Sequence, residues 1–171
     1  MSTSRRQLVG AIAAAGAGLV AARSAKAGPA ALDLGTVSKD TDFACVYHCD
    51  FGDPQRFLQM LQNMLNHYSS YDNDPMKLKL VLVAHGQGIK FFLADLSGTP
   101  WEHDKIDPDL YKRFAGLAGY GTEAYLCQIT YKRLKIDPEK TRNDTFLKYV
   151  PSGVRSVAEL QSKGFAYIKT G

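Results

Sequence analysis

The fold is decided by the stretch Leu78-Lys-Leu-Val-Leu-Val-Ala84, an almost unbroken apolar run of the length of one strand. A strand with one solvent face alternates apolar and polar residues, whereas a continuous apolar run is typical of a strand covered on both faces in a parallel sheet. The run ends at His85-Gly86-Gln87-Gly88, which predicts a sharp turn into a short helix from Ile89. The sequence therefore places a doubly buried parallel strand at the centre of the molecule.

Strand and helix patterns alternate on both sides of this run. The other predicted strands are Phe43–His48, Thr122–Cys127, Tyr149–Val150 and Phe165–Lys169. Two helices begin at Asp53-Pro54 and Asp107-Pro108, where the aspartate caps the helix and the proline fits its first turn. A capping box, Ser156-Val-Ala-Glu159, predicts a last helix that ends at Gly164. This alternation predicts a single flavodoxin-like α/β domain, with a mostly parallel sheet and helices on both faces.

The N-terminal stretch has the features of an export signal. The pair Arg5-Arg6 precedes an apolar run, Leu8–Val20, and Ala25-Lys26-Ala27 forms a small-x-small cleavage site. Paired arginines indicate the twin-arginine route, and the apolar run is too short for a transmembrane helix. We therefore expect a protein of the bacterial periplasm. The predicted organisation is a signal peptide (1–27), an N-terminal tether (28–42) and an α/β domain (43–171).

The charge balance argues against a nucleic-acid partner. The whole chain has 21 basic and 17 acidic residues, but four of the basic residues and no acidic residue lie in the predicted signal peptide. The remainder is therefore balanced at 17 against 17, so no basic surface for nucleic acid is predicted. No later segment is long and apolar enough to cross a bilayer, so we expect no membrane contact after cleavage.

Reactive side chains end three of the predicted strands. His48 and Cys49 end the first, His85 ends the second and Cys127 ends the third. Ligands of open parallel sheets gather at the carboxyl ends of the strands, so these side chains are candidates for one site. Cys127 would begin a helix, which favours a thiolate, and His85 could exchange a proton. The alternatives are that Cys127 packs as a small core residue and that His85 bonds a loop carbonyl.

The cysteines do not predict a metal site or a cofactor. Three cysteines are an odd number, so at least one of them has no disulfide partner within the chain. On a strand, the Cα atoms of Cys45 and Cys49 would be roughly 13 Å apart, too far for a disulfide, and His48 would point to the opposite face. A copper or haem handler that uses His48, His85 and the cysteines remains a third alternative.

Three motifs resemble the DsrE/DsrF-like family. Val83-Ala-His-Gly-Gln-Gly-Ile89 is similar to the family's V-A-H-G-x-G-I turn. Gly121-Thr-Glu-Ala-Tyr-Leu-Cys-Gln-Ile-Thr130 is similar to its G-V-x-F-x-x-C-x-N-T segment. Val150-Pro-Ser-Gly-Val154, followed by Gly164-Phe-Ala-Tyr-Ile168, resembles the closing segment of the family. The resemblance runs in order from Phe43 to Lys169.

The resemblance implies a compact α/β sandwich that assembles as a homotrimer or homohexamer. It also implies that Cys127 can carry sulfane sulfur as a persulfide, received from and passed to a partner protein or a small sulfur compound. Two features depart from the family. Ile129 stands where the family often has asparagine, which reduces the polar support of the cysteine, and the well-known sulfur-relay members are not exported.

The leading hypothesis is a periplasmic sulfur carrier. Its catalytic residues would be Cys127 and His85. The residues expected to bind the substrate or an anion are Gly86, Gly88, Thr130 and His48. The alternative is a non-catalytic binding or assembly module, in which Cys127 is structural and the sheet edge or the basic segment 131–140 docks a partner.

Overall fold

The computed structural model describes residues 28–171 and shows a six-stranded sheet in which every pair of neighbouring strands is parallel. The strands are β1 (Ala30–Ala31), β2 (Phe43–Cys49), β3 (Leu78–Ala84), β4 (Glu123–Cys127), β5 (Leu147–Val150) and β6 (Ala166–Lys169). Their order across the sheet is β1-β5-β4-β3-β2-β6. The predicted α/β class is confirmed, and β3 has the predicted bounds.

The helices connect the strands. The α-helices are α1 (Pro54–Ser69), α2 (Pro108–Ala118), α3 (Gln128–Leu134) and α4 (Gly153–Ser162), and shorter 3-10 turns cover Leu34–Thr36, Gly86–Phe92 and Pro138–Lys140. Both predicted Asp-Pro starts are confirmed, because the carboxylate of Asp53 accepts from the amide of Arg56 at 2.6 Å and that of Asp107 from the amide of Asp109 at 2.9 Å. Within 28–171, no helix is long and apolar enough to span a membrane.

Strand β3 is covered on both faces, as its sequence predicts. Leu80 and Leu82 pack into a core with α1 and α2, whereas Val81 and Val83 pack into a second core with α4. All four side chains are at most 1% exposed. The prediction of helices on both faces of the sheet is therefore confirmed.

The start of the last helix differs from its prediction. The helix begins at Gly153 and is capped by Ser152, whose hydroxyl accepts from the amide of Arg155 at 3.3 Å. Ser156 lies inside the first turns, where its buried hydroxyl donates to the carbonyl of Ser152 at 2.7 Å. The predicted start at a capping box on Ser156 is therefore wrong, because the earlier Ser152 caps the helix by accepting from a first-turn amide.

Part of segment 28–42 packs onto the domain. Strand β1 pairs with β5, and Leu34 and Val37 are buried in the α4-side core. The ammonium of Lys163 holds this segment by donating to the carbonyls of both residues. The predicted signal peptide, 1–27, lies outside the described residues, so export stays a prediction.

Gly88 sits where the turn after β3 presses against β2. A Cβ atom at this position would lie 2.2 Å from the carbonyl oxygen and 2.8 Å from the Sγ of Cys49. Both distances are far below van der Waals contact, and a backbone atom cannot move away cheaply. Glycine is therefore required at Gly88 for packing.

We expect Gly88→Ala to lower the free energy of unfolding by about 3 kcal/mol, because the added methyl group forces the turn away from β2. Gly116→Ala is the matched control, since a Cβ on this α2 residue meets open space, and it should stabilise the protein by up to about 0.5–1 kcal/mol. Urea denaturation followed by circular dichroism measures both. Equal stabilities of the two variants would contradict the packing argument.

Candidate functional site at the carboxyl edge of the sheet

The site lies where the chain changes faces of the sheet. After β4 the chain enters α3, whose Tyr131 packs in the same core as α1 and α2. After β5 it enters α4, which packs on the opposite face. Neighbouring strands that send their connections to opposite faces leave a crevice at their carboxyl ends, where ligands of such sheets bind. Cys127 ends β4 in this crevice, beside Val150 of β5.

Cys127 is buried and makes few polar contacts. Its side chain is on the α4 face of the sheet, since Tyr125, two residues earlier, packs in the α4-side core. The residue is 4% exposed and is the N-cap of α3, but its sulfur does not bond an amide of the first turn. The predicted position at a helix N-terminus is confirmed. The basic residues Lys132 and Arg133 lie in the last turn of this helix.

Gly153 brings His85 and Cys127 together. A Cβ atom at Gly153 would lie 2.9 Å from Cβ of His85 and 3.2 Å from Cβ of Cys127. Both side chains therefore pack against the first residue of α4. The strand register is consistent with this contact. Strand β3 pairs with β4 at Ala84 and Leu126, so the residues that follow them, His85 and Cys127, also lie side by side. The expected proximity is present, although no hydrogen bond joins the two side chains among the described residues.

His85 instead bonds to His48. Their Nε2 atoms lie 2.6 Å apart, and Nδ1 of His48 lies 2.8 Å from the hydroxyl of Tyr167 on β6. One histidine must donate and the other accept, so the pair holds one proton between the two rings. The three side chains form a chain of hydrogen bonds that runs from the half-exposed Tyr167 to the buried edge beside Cys127.

Burial disfavours the charged form of both histidines. It lowers the pKa of both His48 and His85, and the positive charge of Lys169 lowers them further. The nearby Asp50 carboxylate, which pairs with the ammonium of Lys169 at 2.7 Å, acts in the opposite direction and offsets part of the effect of burial on both pKa values. Arg133 adds to the lowering of the pKa of His85. The pair can therefore accept a proton near neutral pH rather than already carrying one.

The glycine turn uses its amides internally. Gly86 has φ +55°, in the left-handed region, and its amide donates to the hydroxyl of Thr130 at 3.0 Å. The amide of Gly88 donates to the carbonyl of His85 at 3.1 Å. Gly86, Gly88 and Thr130, expected as anion-binding groups, thus bond within the protein and fix the turn that carries His85.

The other two cysteines lie away from this site. Cys45 and Cys49 pack in the core on the α1 and α2 face, and burial raises the pKa of both thiols. All three cysteines are free thiols. Within the part of the chain that the structure describes, no group of three histidine, cysteine or acidic side chains is placed to hold a metal ion.

Two members of the site were not among the predicted residues. Tyr167 reaches His48 because β6 pairs with β2, which places residues 119 positions apart on neighbouring strands. Gly153 belongs to the site because it has no side chain, so the start of α4 can lie close to His85 and Cys127. No local pattern indicates either role, although Gly153 lies in the quoted Val-Pro-Ser-Gly-Val motif.

Comparison with known proteins agrees with this architecture. The family model described as "DsrE/DsrF-like family" matches residues 45–170. The chain belongs to the DsrE/DsrF-like family. The predicted resemblance is thereby confirmed, and the match includes both His85 and Cys127.

One similar solved structure is that of a protein of unknown function, MTH1491, from Methanobacterium thermoautotrophicum. It shares 21% sequence identity with this DsrE/DsrF-like chain, with a TM-score of 0.59, and the match covers 75% of this chain and 99% of that one. At this identity the likeness shows the fold alone. No curated protein matches the chain.

We expect the free energy of unfolding to fall as the pH is lowered from about 7 to about 5. Burial holds the pKa of His48 and His85 below the ordinary value of 6.5, so the unfolded chain binds more protons in this range and is favoured as the pH falls. Urea denaturation at a series of pH values measures the slope. His48→Gln should flatten it.

The control is His103→Gln, since His103 lies on the surface with 93% of its side chain exposed. This variant should keep the slope of the unchanged protein. His67, whose pKa burial also lowers, contributes equally to all three proteins. Identical slopes for both variants would show that the pair does not titrate with a lowered pKa.

Proposed function

We propose that this DsrE/DsrF-like protein carries sulfane sulfur as a persulfide on Cys127. The observation that supports the proposal is the packing of Cys127 and His85 against the same residue, Gly153, in the crevice where β4 and β5 send their connections to opposite faces. A nucleophilic sulfur beside a histidine that can take up a proton is the arrangement that thiol chemistry needs.

Loading is an exchange between sulfur atoms. The thiolate of Cys127 attacks a terminal sulfur of a polysulfide, a new S–S bond forms, and the adjacent S–S bond of the donor breaks. The electron pair of the broken bond leaves with the shortened polysulfide. An acceptor thiolate then attacks the outer sulfur, and the electron pair returns to Cys127. Neither step requires an external oxidant or reductant, which suits a carrier.

The histidine pair accepts the proton that the thiol of Cys127 releases. Neutral His85 takes the proton of the Cys127 thiol as the thiolate forms, and the Nε2–Nε2 bond to His48 shares the resulting charge. Tyr167 connects His48 to the surface through its hydroxyl. We therefore assign His85 as the base and His48 as the residue that positions it.

The second candidate function is a binding or assembly module in which Cys127 is structural. The observation in its favour is the burial of Cys127, which is 4% exposed and without a hydrogen bond from its sulfur within the described residues. A metal or haem handler has less support. No three histidine, cysteine or acidic side chains of the described residues are placed to hold a metal ion, and the Nε2 atoms of His48 and His85 already bond each other.

The intact mass of the protein separates the two candidates. After incubation with polysulfide and without reductant, the unchanged protein should gain mass in steps of about 32 Da, one sulfur atom each. Cys127→Ser should gain none. Cys45→Ala is the matched control, since that thiol is buried on the other face of the sheet, and it should load as the unchanged protein does.

His85→Gln should load about 10- to 100-fold more slowly, as expected for loss of a positioned base. Loading that survives Cys127→Ser would end the carrier proposal. An unmodified mass in every variant, together with a Cys127 that resists alkylation in the native state, would support the structural module.

The location and the assembly extend the proposal. The twin-arginine signal of the sequence is the support for a periplasmic carrier. An oligomer, as the resemblance implies, is supported by exposed apolar side chains around the site, including Ile129, Val154 and Tyr167, and by the exposed edge strand β6. A subunit contact there would shield the thiol from an oxidising compartment.

We expect Val154→Arg to shift the protein to a smaller assembly, because Val154 is 67% exposed beside the site and a charge there disfavours a buried contact. Met76→Arg is the control, since Met76 is similarly exposed in the turn before β3. Sedimentation velocity measures the mass of each protein. A monomeric unchanged protein, or an equal loss in both variants, would contradict an interface at Val154.

A further inference from the structure

We propose that a second cavity, on the opposite face of the sheet from Cys127, binds a small organic anion with an apolar body. The cavity has a volume of about 400 Å³, which lies within the range of small-molecule sites. It lies between the 3-10 turn after β3, the loop before α2, and Arg142. Nothing in the sulfur chemistry of Cys127 uses this cavity.

The cavity wall is divided between charge and apolar surface. Its charged residues are Lys90, Lys105, Arg142, Asp104 and Asp107. Its apolar part includes Phe91, Leu93, Leu96, Ile106 and Pro108. The cations outnumber the acids, and the Asp107 carboxylate already accepts from the amide of Asp109 at 2.9 Å. A ligand with one negative group and a hydrocarbon body fits this division.

Arg142 is the group that lacks a partner. Its guanidinium stacks 4.1 Å from the centre of the Tyr111 ring, and its Nε atom is buried without a hydrogen-bond acceptor. No ion pair joins this guanidinium to a carboxylate of residues 28–171. The two terminal nitrogens of the guanidinium are not buried in this way and have no acceptor among residues 28–171, so a carboxylate or sulfonate ligand can accept from both of them in the bidentate geometry that arginine favours.

Lys90 supplies a second donor. The residue is 7% exposed, and its ammonium bonds the carboxylate of Asp104 at 2.5 Å. Asp104 is the one acceptor that this ammonium has among the described residues, so two of its three N–H donors are free. The ammonium of Lys90 can therefore bind an anion together with the guanidinium of Arg142.

The backbone holds Arg142 in place before any ligand arrives. Its amide donates to the carbonyl of Phe92 at 3.1 Å, and the amide of Ala94 donates to the carbonyl of Lys140 at 2.7 Å. Leu93 and Thr141 pair between these two bonds as an isolated antiparallel bridge. The segment that carries Arg142 is thus fastened to the cavity wall, so little ordering is needed on binding.

The test uses 8-anilinonaphthalene-1-sulfonate, an aromatic sulfonate whose fluorescence rises in apolar surroundings. We expect it to bind the unchanged protein with a fluorescence increase, and its neutral analogue without the sulfonate, N-phenyl-1-naphthylamine, to bind at least about tenfold more weakly. Arg142→Gln should weaken sulfonate binding about tenfold or more and lower the free energy of unfolding by no more than about 1 kcal/mol, since the guanidinium stacks on Tyr111 but bonds no acceptor among the described residues.

Ala94→Trp is a second variant, since Ala94 is exposed and lines the cavity. Its large side chain should block sulfonate binding in a protein that keeps Arg142. The control is Arg113→Gln, which alters a different, apolar groove between α1 and α2. This variant should bind as the unchanged protein does. Equal binding of the two probes, loss of binding in Arg113→Gln, or full binding by both Arg142→Gln and Ala94→Trp would overturn the proposal.

Discussion

The structure depends on the requirement that the central strands be covered on both faces. Val81 and Val83 of β3 are as deeply buried as Leu80 and Leu82, so helices on one face alone could not shield the strand. The helices α1 and α2 cover one face, and the chain has to cross the sheet after β5 for α4 to cover the other. That crossing opens the crevice between β4 and β5. The position of Cys127 is thus a consequence of how the core is buried.

Close packing then decides what the crevice contains. Gly153 begins α4 directly over His85 and Cys127, at distances that leave no room for a side chain. Gly88 presses the next turn onto Cys49 in the same way. Both glycines act through the atoms that approach them. Thr130 also holds the turn that carries His85, because its hydroxyl accepts a hydrogen bond from the amide of Gly86.

Local sequence patterns predict most of the strands and helices, but they do not predict contacts between residues that are far apart in the chain. The bounds of β3 and the Asp-Pro helix starts follow from short stretches, and the carboxyl ends of parallel strands had to bring His85 near Cys127. The predicted start of α4 is wrong because two serines four residues apart, Ser152 and Ser156, both precede plausible first turns. The contact between His48 and Tyr167 depends on the pairing of β6 with β2, which no local pattern encodes.

The proposed sulfur load on Cys127 would change the charge of the site. A persulfide anion on Cys127 would place a negative charge beside a histidine whose pKa burial and nearby cations keep low. That charge favours the protonated form of His85, so loading and protonation would stabilise each other. In the proposed carrier, the His48 ring at Nε2 of His85 and the hydroxyl of Tyr167 beyond it would provide the route for the proton. A histidine pair that takes up a proton only on loading would therefore let the buried site accept the proposed persulfide anion without leaving it unpaired.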